Sequence, residues 1–369
     1  MSKLLKCLLL VLFVTFGAGT KANATLSLSS NDPEAEISRR LAGLQLPLTA
    51  PASDATLQRK LTDYLDRGTH STERMLGRAN QYFPVFEHYL AKHGMPESLK
   101  YLAVAESMLV PKAVSGARAA GLWQLMPVTA REMGLRVDGV VDERLDLYRS
   151  TEAAVVMLKG LYQQFGDWHL ALAAYNCGPG RVRRAIRQAG GHTHYPKVQR
   201  FLPRESQQYV AAYVAAAYTV NYYDDYGLIP ENYLGEDEIA LIDIYRHLNL
   251  RRLAKDCELD YRQLRKLNPS FVAGYIPRNA SGYRLRVPRA DKWTVKRYLW
   301  GRPNLVEILP DPEQALADQL VEEMQIDVYG MLFGIPSEYL LGEPTIAQCA
   351  FVQRINRRIY NDYEALAMN

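Results

Sequence analysis

The sequence predicts a mainly α-helical chain that carries one small mixed module late in its length, and three observations support this. Apolar residues recur at helical spacing from residue 54 onward, first at Leu57, Leu61, Tyr64 and Leu65, then at Met75, Leu76, Phe83, Phe86 and Leu90. Between residues 239 and 288 that rhythm gives way to two strand-like stretches enclosing two short helical ones. Beyond residue 302 helical patterns return, at 313–328 and 347–363, in a segment of opposite charge.

The chain opens with Lys3 and Lys6, an apolar run from Leu4 to Phe16, and Ala22-Asn23-Ala24. A basic start, a run too short for a bilayer and an Ala-x-Ala site predict a cleaved signal peptide over residues 1–24 and export to the periplasm or cell envelope. An uncleaved anchor is the alternative. Cys7 lies inside the apolar run and no Cys stands at a cleavage point, so a soluble rather than an acyl-anchored product is expected. Residues 25–73 follow as a lead-in and helix, and 25–55, rich in Ser, Ala, Pro and Thr, are expected to be loose.

Gly94-Met95-Pro96 interrupts the early helices, with Pro96 suited to opening the next one. Gly116 to Trp123 reads as a short hairpin or loop. Helical patterns follow at 150–165, 167–176, 180–189 and 204–226. The last carries Tyr209, Tyr213, Tyr218, Tyr222, Tyr223 and Tyr226, a stripe expected to be mostly core or groove wall.

Charge and cysteines exclude some classes. Removing residues 1–24 takes away three Lys and no acid, so the net charge falls from +4 to +1. That is no general polyanion binder, and no nucleic-acid partner is expected. Cys177, Cys257 and Cys349 are too few and too scattered for a disulfide framework and read as small buried residues. His192 and His194 lack further ligands, so no metal site is expected there.

Glu106 is the residue with chemical promise. It ends the apolar run Leu99 to Val104, and from Ser107 to Arg131 no other Asp or Glu occurs. Desolvation at such a place favours the neutral carboxyl and fits it to donate a proton near neutral pH. A solvated glutamate is the plain alternative, and the surrounding motifs argue against it. Ser115 and the run Gly121-Leu122-Trp123-Gln124-Leu125-Met126-Pro127 come next, then Ala173-Ala174-Tyr175-Asn176-Cys177-Gly178, then Glu205 and Tyr209. Amides and hydroxyls (Gln124, Asn176, Ser115) can orient sugar substituents, and aromatics (Trp123, Tyr175, Tyr209) can cover apolar sugar faces.

Those motifs, in that order and spacing from about Arg74 to Gly227, resemble the family 1 lytic transglycosylases, which share the goose-type lysozyme fold. Many members carry Met where Trp123 stands. The resemblance implies a lysozyme-like helical catalytic domain over residues 74–233 that acts on peptidoglycan glycan strands. It implies Glu106 as the catalytic residue, with Ser115, Trp123, Gln124, Met126, Tyr175, Asn176 and Tyr209 lining the substrate site, and it implies no metal or organic cofactor. Its product would be a 1,6-anhydro-N-acetylmuramic acid end. A two-carboxylate hydrolase needs a partner acid about 5–10 Å away. Asp138, Asp142, Glu143 and Glu205 exist, but nothing in the sequence marks them as facing Glu106. A hydrolytic muramidase and a catalytically silent wall-binding protein stand as alternatives.

From Arg246 to Arg302, fifteen Arg or Lys face four acids. Ile239 to Ile244, Leu250 to Ala254, Tyr261 to Leu267 and Tyr283 to Pro288 read as strand, helix, helix, strand. With Leu-x-x-Leu-Asn-Pro and the closing Leu-x-Val-Pro, residues 236–290 resemble a LysM carbohydrate-binding module whose usual Gly-Asp-Thr-Leu start is absent. Pro303 to Gln353 holds nine acids and no Lys or Arg. Residues 291–369 are therefore expected to be an acidic helical tail, its charge and its Leu316, Leu320 and Met324 suited to docking on the basic module. Association with the cell wall or membrane is compatible with this layout, and no pattern specifies an oligomeric state.

Overall fold

Where the sequence reads as a loose lead-in, the chain folds its first helix, α1 (Pro33–Gly43), because Ile37 and Leu41, four residues apart, bury one face of it. This computed structural model describes residues 33–301. The expected signal peptide and nearly all of the acidic tail, with Cys349, lie outside the described residues. Asp54 caps α2 (Ala55–Thr62) by accepting from the Thr56 and Leu57 amides at 2.8 and 2.9 Å. One π turn (Asp63–Arg67) leads into α3 (Thr69–Lys92), whose Met75, Leu76, Phe86 and Leu90 face the core. Pro96 opens a 3₁₀ turn (Glu97–Lys100), and this runs into α4 (Tyr101–Ser107), the bearer of Glu106.

After a loop come α5 (Pro127–Glu132) and α6 (Leu147–Phe165), the latter capped by Asp146. Then follow α7 (Trp168–Cys177), α8 (Pro179–Gln188), α9 (Tyr195–Gln199) and α10 (Arg204–Tyr222). The sequence sees α10 as a tyrosine stripe, and the structure makes it the central post. Tyr213, Tyr218, Val214, Ala215, Ala216 and Ala217 are all fully buried, and α2, α4 and α7 pack around it. A helix apolar on every side belongs inside. Small alanines on one flank let α4 and α7 approach it, which places their site residues beside Tyr209.

The second part follows Tyr233. Gly77 has no side chain because the Glu231 carbonyl occupies that space, 2.1 Å from where a Cβ would sit. β1 (Ile239–Ile244), β2 (Leu248–Asn249), α11 (Leu250–Asp256), α12 (Tyr261–Leu267), β3 (Tyr275–Ile276) and β4 (Tyr283–Pro288) form the expected strand, helix, helix, strand order, with one extra short pair. β1 runs antiparallel to β4, from Ile239 opposite Pro288 to Ile244 opposite Tyr283, and β2 pairs with β3. α13 (Lys292–Trp300) buries Val295 and Leu299 and packs on β1 and α11. The packed module therefore reaches residue 300, past the boundary at 290 that the strand pattern suggests. The helical part and this module belong to one compact unit. Among the described residues, no helix is long and apolar enough to cross a membrane.

Candidate active site

α4 ends abruptly at Glu106 and Ser107, because Met108 and Leu109 both turn left-handed (φ 52° and 56°). Two successive non-glycine residues in that region are uncommon, and they are held here. The Arg78 guanidinium donates to the Met108 carbonyl at 2.8 Å, and Leu109 is fully buried. The buried Ser107 hydroxyl lies 2.8 Å from the Leu122 carbonyl, so the residue beside Glu106 is tied to the loop that follows.

The Tyr209 hydroxyl, reaching from α10, donates to Glu106 Oε1. Among the described residues, nothing donates to Oε2. Desolvation pushes the Glu106 carboxyl up to about 7, against the lowering effect of the Tyr209 hydrogen bond and with help from the negative charge of Glu205. The acid is thus poised between its two forms near neutral pH, as proton donation followed by proton removal requires. Tyr175 is buried alongside, its hydroxyl donating to the Trp123 carbonyl at 2.7 Å. Burial holds both phenols, Tyr175 and Tyr209, well above their ordinary range, so they remain neutral donors.

Glu205, which the sequence names without marking it as facing Glu106, is the acid whose charge acts on Glu106. It stands four residues before Tyr209 on α10, hence on the same helix face. Asn176 Nδ2 lies 3.4 Å from Glu205 Oε1, while the buried Ser206 hydroxyl donates to Asn176 Oδ1 at 2.5 Å. Its Glu205-x-x-x-Tyr209 spacing was the available signal, but which helix face meets Glu106 is decided by packing.

The loop from 113 to 126 holds the remaining expected residues and is tied to Ser107, next to Glu106, through the Leu122 carbonyl. It is a small hairpin, with Ala120 bridged to both Val114 and Leu125. Ser115 Oγ accepts from the Ala119 amide at 3.0 Å, which leaves its proton free to donate. Gln124, itself left-handed at φ 47°, donates its side-chain amide to the Ala113 and Gly121 carbonyls at 3.1 and 2.8 Å. Its donor is committed to the loop, and its Oε1 is the atom available to a ligand. Met126 is 42% exposed. Trp123 corrects the expectation of a sugar-covering aromatic: it is 0% exposed. Its ring packs 4.8 Å from Phe86 and its indole N–H donates to Thr151 Oγ1 at 2.9 Å, so it is a core residue that anchors the loop from beneath. Cys177 and Cys257 are both buried, and His192 and His194 are exposed in the loop before α9. Among the described residues, no three His, Cys, Asp or Glu side chains gather as a metal site would need.

Residues 83–197 match the family model described as transglycosylase SLT domain. The chain carries a transglycosylase SLT domain. Downstream of this SLT domain, residues 238–299 match the model for the lytic transglycosylase MltD, LysM-like domain, which covers α13 as the packing does. Over 177 residues the chain is 37% identical to membrane-bound lytic murein transglycosylase D of Escherichia coli (strain K12), covering 47% of this chain and 38% of that protein. Over 143 residues it is 32% identical to the soluble lytic murein transglycosylase of the same strain, covering 37% of this chain and 21% of that one. The chain thus spans about two fifths of the first curated relatives it matches. Among solved structures, the 70 kDa soluble lytic transglycosylase SLT70 from Escherichia coli aligns at 23% identity and a TM-score of 0.34, over 51% of this chain and 30% of that one.

Proposed function

We propose that the protein is a peptidoglycan lytic transglycosylase of the cell envelope, with Glu106 as acid and then base. One observation carries the reading: a lone carboxyl at the end of a buried helix, pushed up to about 7, with Tyr209 on one oxygen and the other open. The SLT domain supports the reaction class, and the LysM-like domain supports a wall substrate.

In this mechanism the protonated Glu106 gives its proton to the oxygen bridging N-acetylmuramic acid and N-acetylglucosamine. The C1–O bond breaks, and the acetamido oxygen of the muramic acid carries the developing positive charge. Glu106, now a carboxylate, accepts the proton of the C6 hydroxyl, whose oxygen attacks C1 and closes the 1,6-anhydro ring. No water is consumed. Tyr209 keeps the carboxylate in register and stabilises its charged form. Asn176, with Oδ1 fixed by Ser206 and one amide hydrogen on Glu205, has its other amide hydrogen to offer the substrate, and Ser115 Oγ and Gln124 Oε1 address the sugar from the loop.

Glu205 favours a second reading. Its charge acts on Glu106, so a hydrolytic muramidase with Glu205 as base for a water is the alternative this site supports. Mass spectrometry of fragments released from purified sacculi separates the two. Transglycosylation yields anhydro ends, one water lighter than the reducing ends of hydrolysis. Predominantly reducing ends would refute the lytic reading.

A further inference from the structure

The LysM-like module is joined to the SLT domain by a seam of specific contacts that ends on the active-site loop. The hairpin from 136 to 143 is the link. Val137 and Asp142 bridge within it, and the Asp142 amide donates to the Ser270 carbonyl of the module at 2.9 Å. Arg136 donates to the Tyr283 hydroxyl of β4 at 3.0 Å. On the other flank, the Tyr148 hydroxyl and the Arg286 guanidinium both donate to Glu236, and the cations of Arg284 and Arg286 lie 5.8 and 5.7 Å from the Tyr148 ring centre. Ser270 and Arg286 are 3% and 6% exposed, so this is an interior seam rather than a surface touch.

Two residues beyond Asp142, Arg144 turns the contact towards the chemistry. Its guanidinium is held by both carboxylate oxygens of Asp142, at 2.9 and 2.7 Å. From that fork it donates to the carbonyls of Arg118 and Leu125, at 2.7 and 3.2 Å, the two arms of the hairpin that presents Ser115 and Gln124. Arg144's own carbonyl lies 2.0 Å from where a Cβ on Gly121 would sit, so only glycine (φ +84°) lets the loop close on it. The same loop holds Ser107, beside Glu106, through the Leu122 carbonyl.

We infer that the LysM-like module is a positioning part of the active site: through Ser270, Asp142 and Arg144 it braces the 113–126 loop in the form that holds Ser107, next to Glu106. This rests on the proposed lytic activity and adds a duty to a module whose fold suggests wall retention alone. Arg144 touches no reacting atom, so it is a positioning residue. Loosening the brace should lower turnover more than substrate binding, because loop geometry matters most where the transition state is held.

The experiment uses the full chain and two substrates, a soluble tetrasaccharide of alternating N-acetylglucosamine and N-acetylmuramic acid, and intact sacculi. Arg144→Lys keeps the charge and loses the forked geometry. The pair Tyr148→Phe and Tyr283→Phe loosens only the seam. Both variants are expected to melt within a few degrees of the parent. Expected on the tetrasaccharide is a kcat loss of about tenfold or more for Arg144→Lys, and about threefold to tenfold for the seam pair. KM and the alkaline limb of the pH profile, set by Glu106, should hold in both, as should sacculus binding. A purely structural role would lower melting and the active fraction without this split. Unchanged kcat in the seam pair overturns the inference even if Arg144→Lys is slow, since the loop would then be braced without the module. A parent chain that cleaves neither substrate sinks the lytic reading instead.

Discussion

Two carboxyls in this protein, Glu106 and Asp146, are both pushed above the usual carboxylate range by desolvation, yet they are held by different donors. Asp146 sits at the start of α6, and its Oδ1 accepts from the Tyr148 and Arg149 amides at 3.0 and 2.9 Å. Those bonds and the charge of Arg286 pull back towards the ionised form. Glu106 sits at the other kind of helix end, the last turn of α4, where no backbone amide is offered to a carboxylate. Its donor is one phenol, and its second oxygen is open. Burial alone therefore does not mark an acid as catalytic. What separates the two acids is the donor set, two backbone amides fixed by the helix start at Asp146 against one side-chain hydroxyl at Glu106.

The largest expected effect is that of Glu106→Gln. General acid–base help is worth about 10²–10⁴-fold, and one residue serving as both acid and base should lose the upper part of that range or more. Anhydro-fragment release should therefore fall by at least about a thousandfold, while Tyr209 can still donate to the glutamine oxygen and the fold persists. The same variant tests the burial claim by stability. The folded-state pKa of about 7 lies above the ordinary 4.5, so between those values the native state binds more protons than the unfolded one. Ionising Glu106 in place thus destabilises the parent progressively as pH rises from about 4.5 to about 7. The glutamine variant escapes that cost and should be the more stable above pH 7, by at most about 3 kcal/mol, with the gap closing towards pH 4.5. Parallel denaturation curves at pH 4.5 and 8 that keep a constant offset would mean Glu106 is not desolvated.

The two carboxyls also differ in how far sequence reveals them. Glu106 is legible because an apolar helix with one acid at its end, followed in order by Ser115, the 121–127 run, the 173–178 run and Tyr209, leaves few meanings. Asp146 is legible as a cap only once a helix is placed after it. The positions of α3, α4, α6, α7, α8 and α10 follow from apolar spacing within a few residues, whereas the short α5 and α9 do not. What escapes is tertiary. Trp123 looks like a ligand-facing aromatic because neighbours with amides surround it in sequence. Phe86 and Thr151, 37 and 28 positions away, turn it inward. Glu205 looks solitary because its partner lies 99 residues away on another helix. Residues 33–43 look loose because Ser, Ala and Pro around them carry no pattern, whereas Ile37 and Leu41 need only one groove to fold against.

Next in size is the tuning of Glu106 by its two neighbours, which should act with opposite sign. The Tyr209 hydrogen bond favours the carboxylate, so Tyr209→Phe should move the alkaline limb of kcat/KM, which falls tenfold per unit above about pH 7 in the parent, to higher pH. It should also cost about 10–100-fold in rate, as a hydrogen bond to a charged group is lost from the base step. The Glu205 charge favours the neutral acid, so Glu205→Gln should move the limb to lower pH, with a few-fold loss of rate. Profiles of both variants on one substrate decide the matter. Shifts in the same direction would mean that charge and hydrogen bonding do not set this acid. A collapse to background in Glu205→Gln would instead favour the hydrolytic reading, in which Glu205 is the base.

The smallest effect belongs to Asp146, and it bears on the comparison most directly. If its raised carboxyl is a cap and nothing more, Asp146→Ala should lose the two amide bonds at the start of α6 and cost about 1 kcal/mol. For a chain of a few hundred residues that is a drop of about 2–4 °C in Tm. Asp146→Asn keeps an acceptor of the same reach and should stay within about 0.5 kcal/mol of the parent, since asparagine caps as well as aspartate. It also discards a desolvated charge, which offsets whatever attraction to Arg286 is lost. Neither change should alter turnover per folded molecule by more than about threefold, because the Tyr209 hydroxyl that holds Glu106 is untouched by either. Thermal melts and single-substrate rates on the two variants give both numbers. Loss of turnover in Asp146→Asn with an unchanged melt would mean that this second desolvated acid also enters the chemistry, and its pair of backbone donors would then fail to set it apart from Glu106.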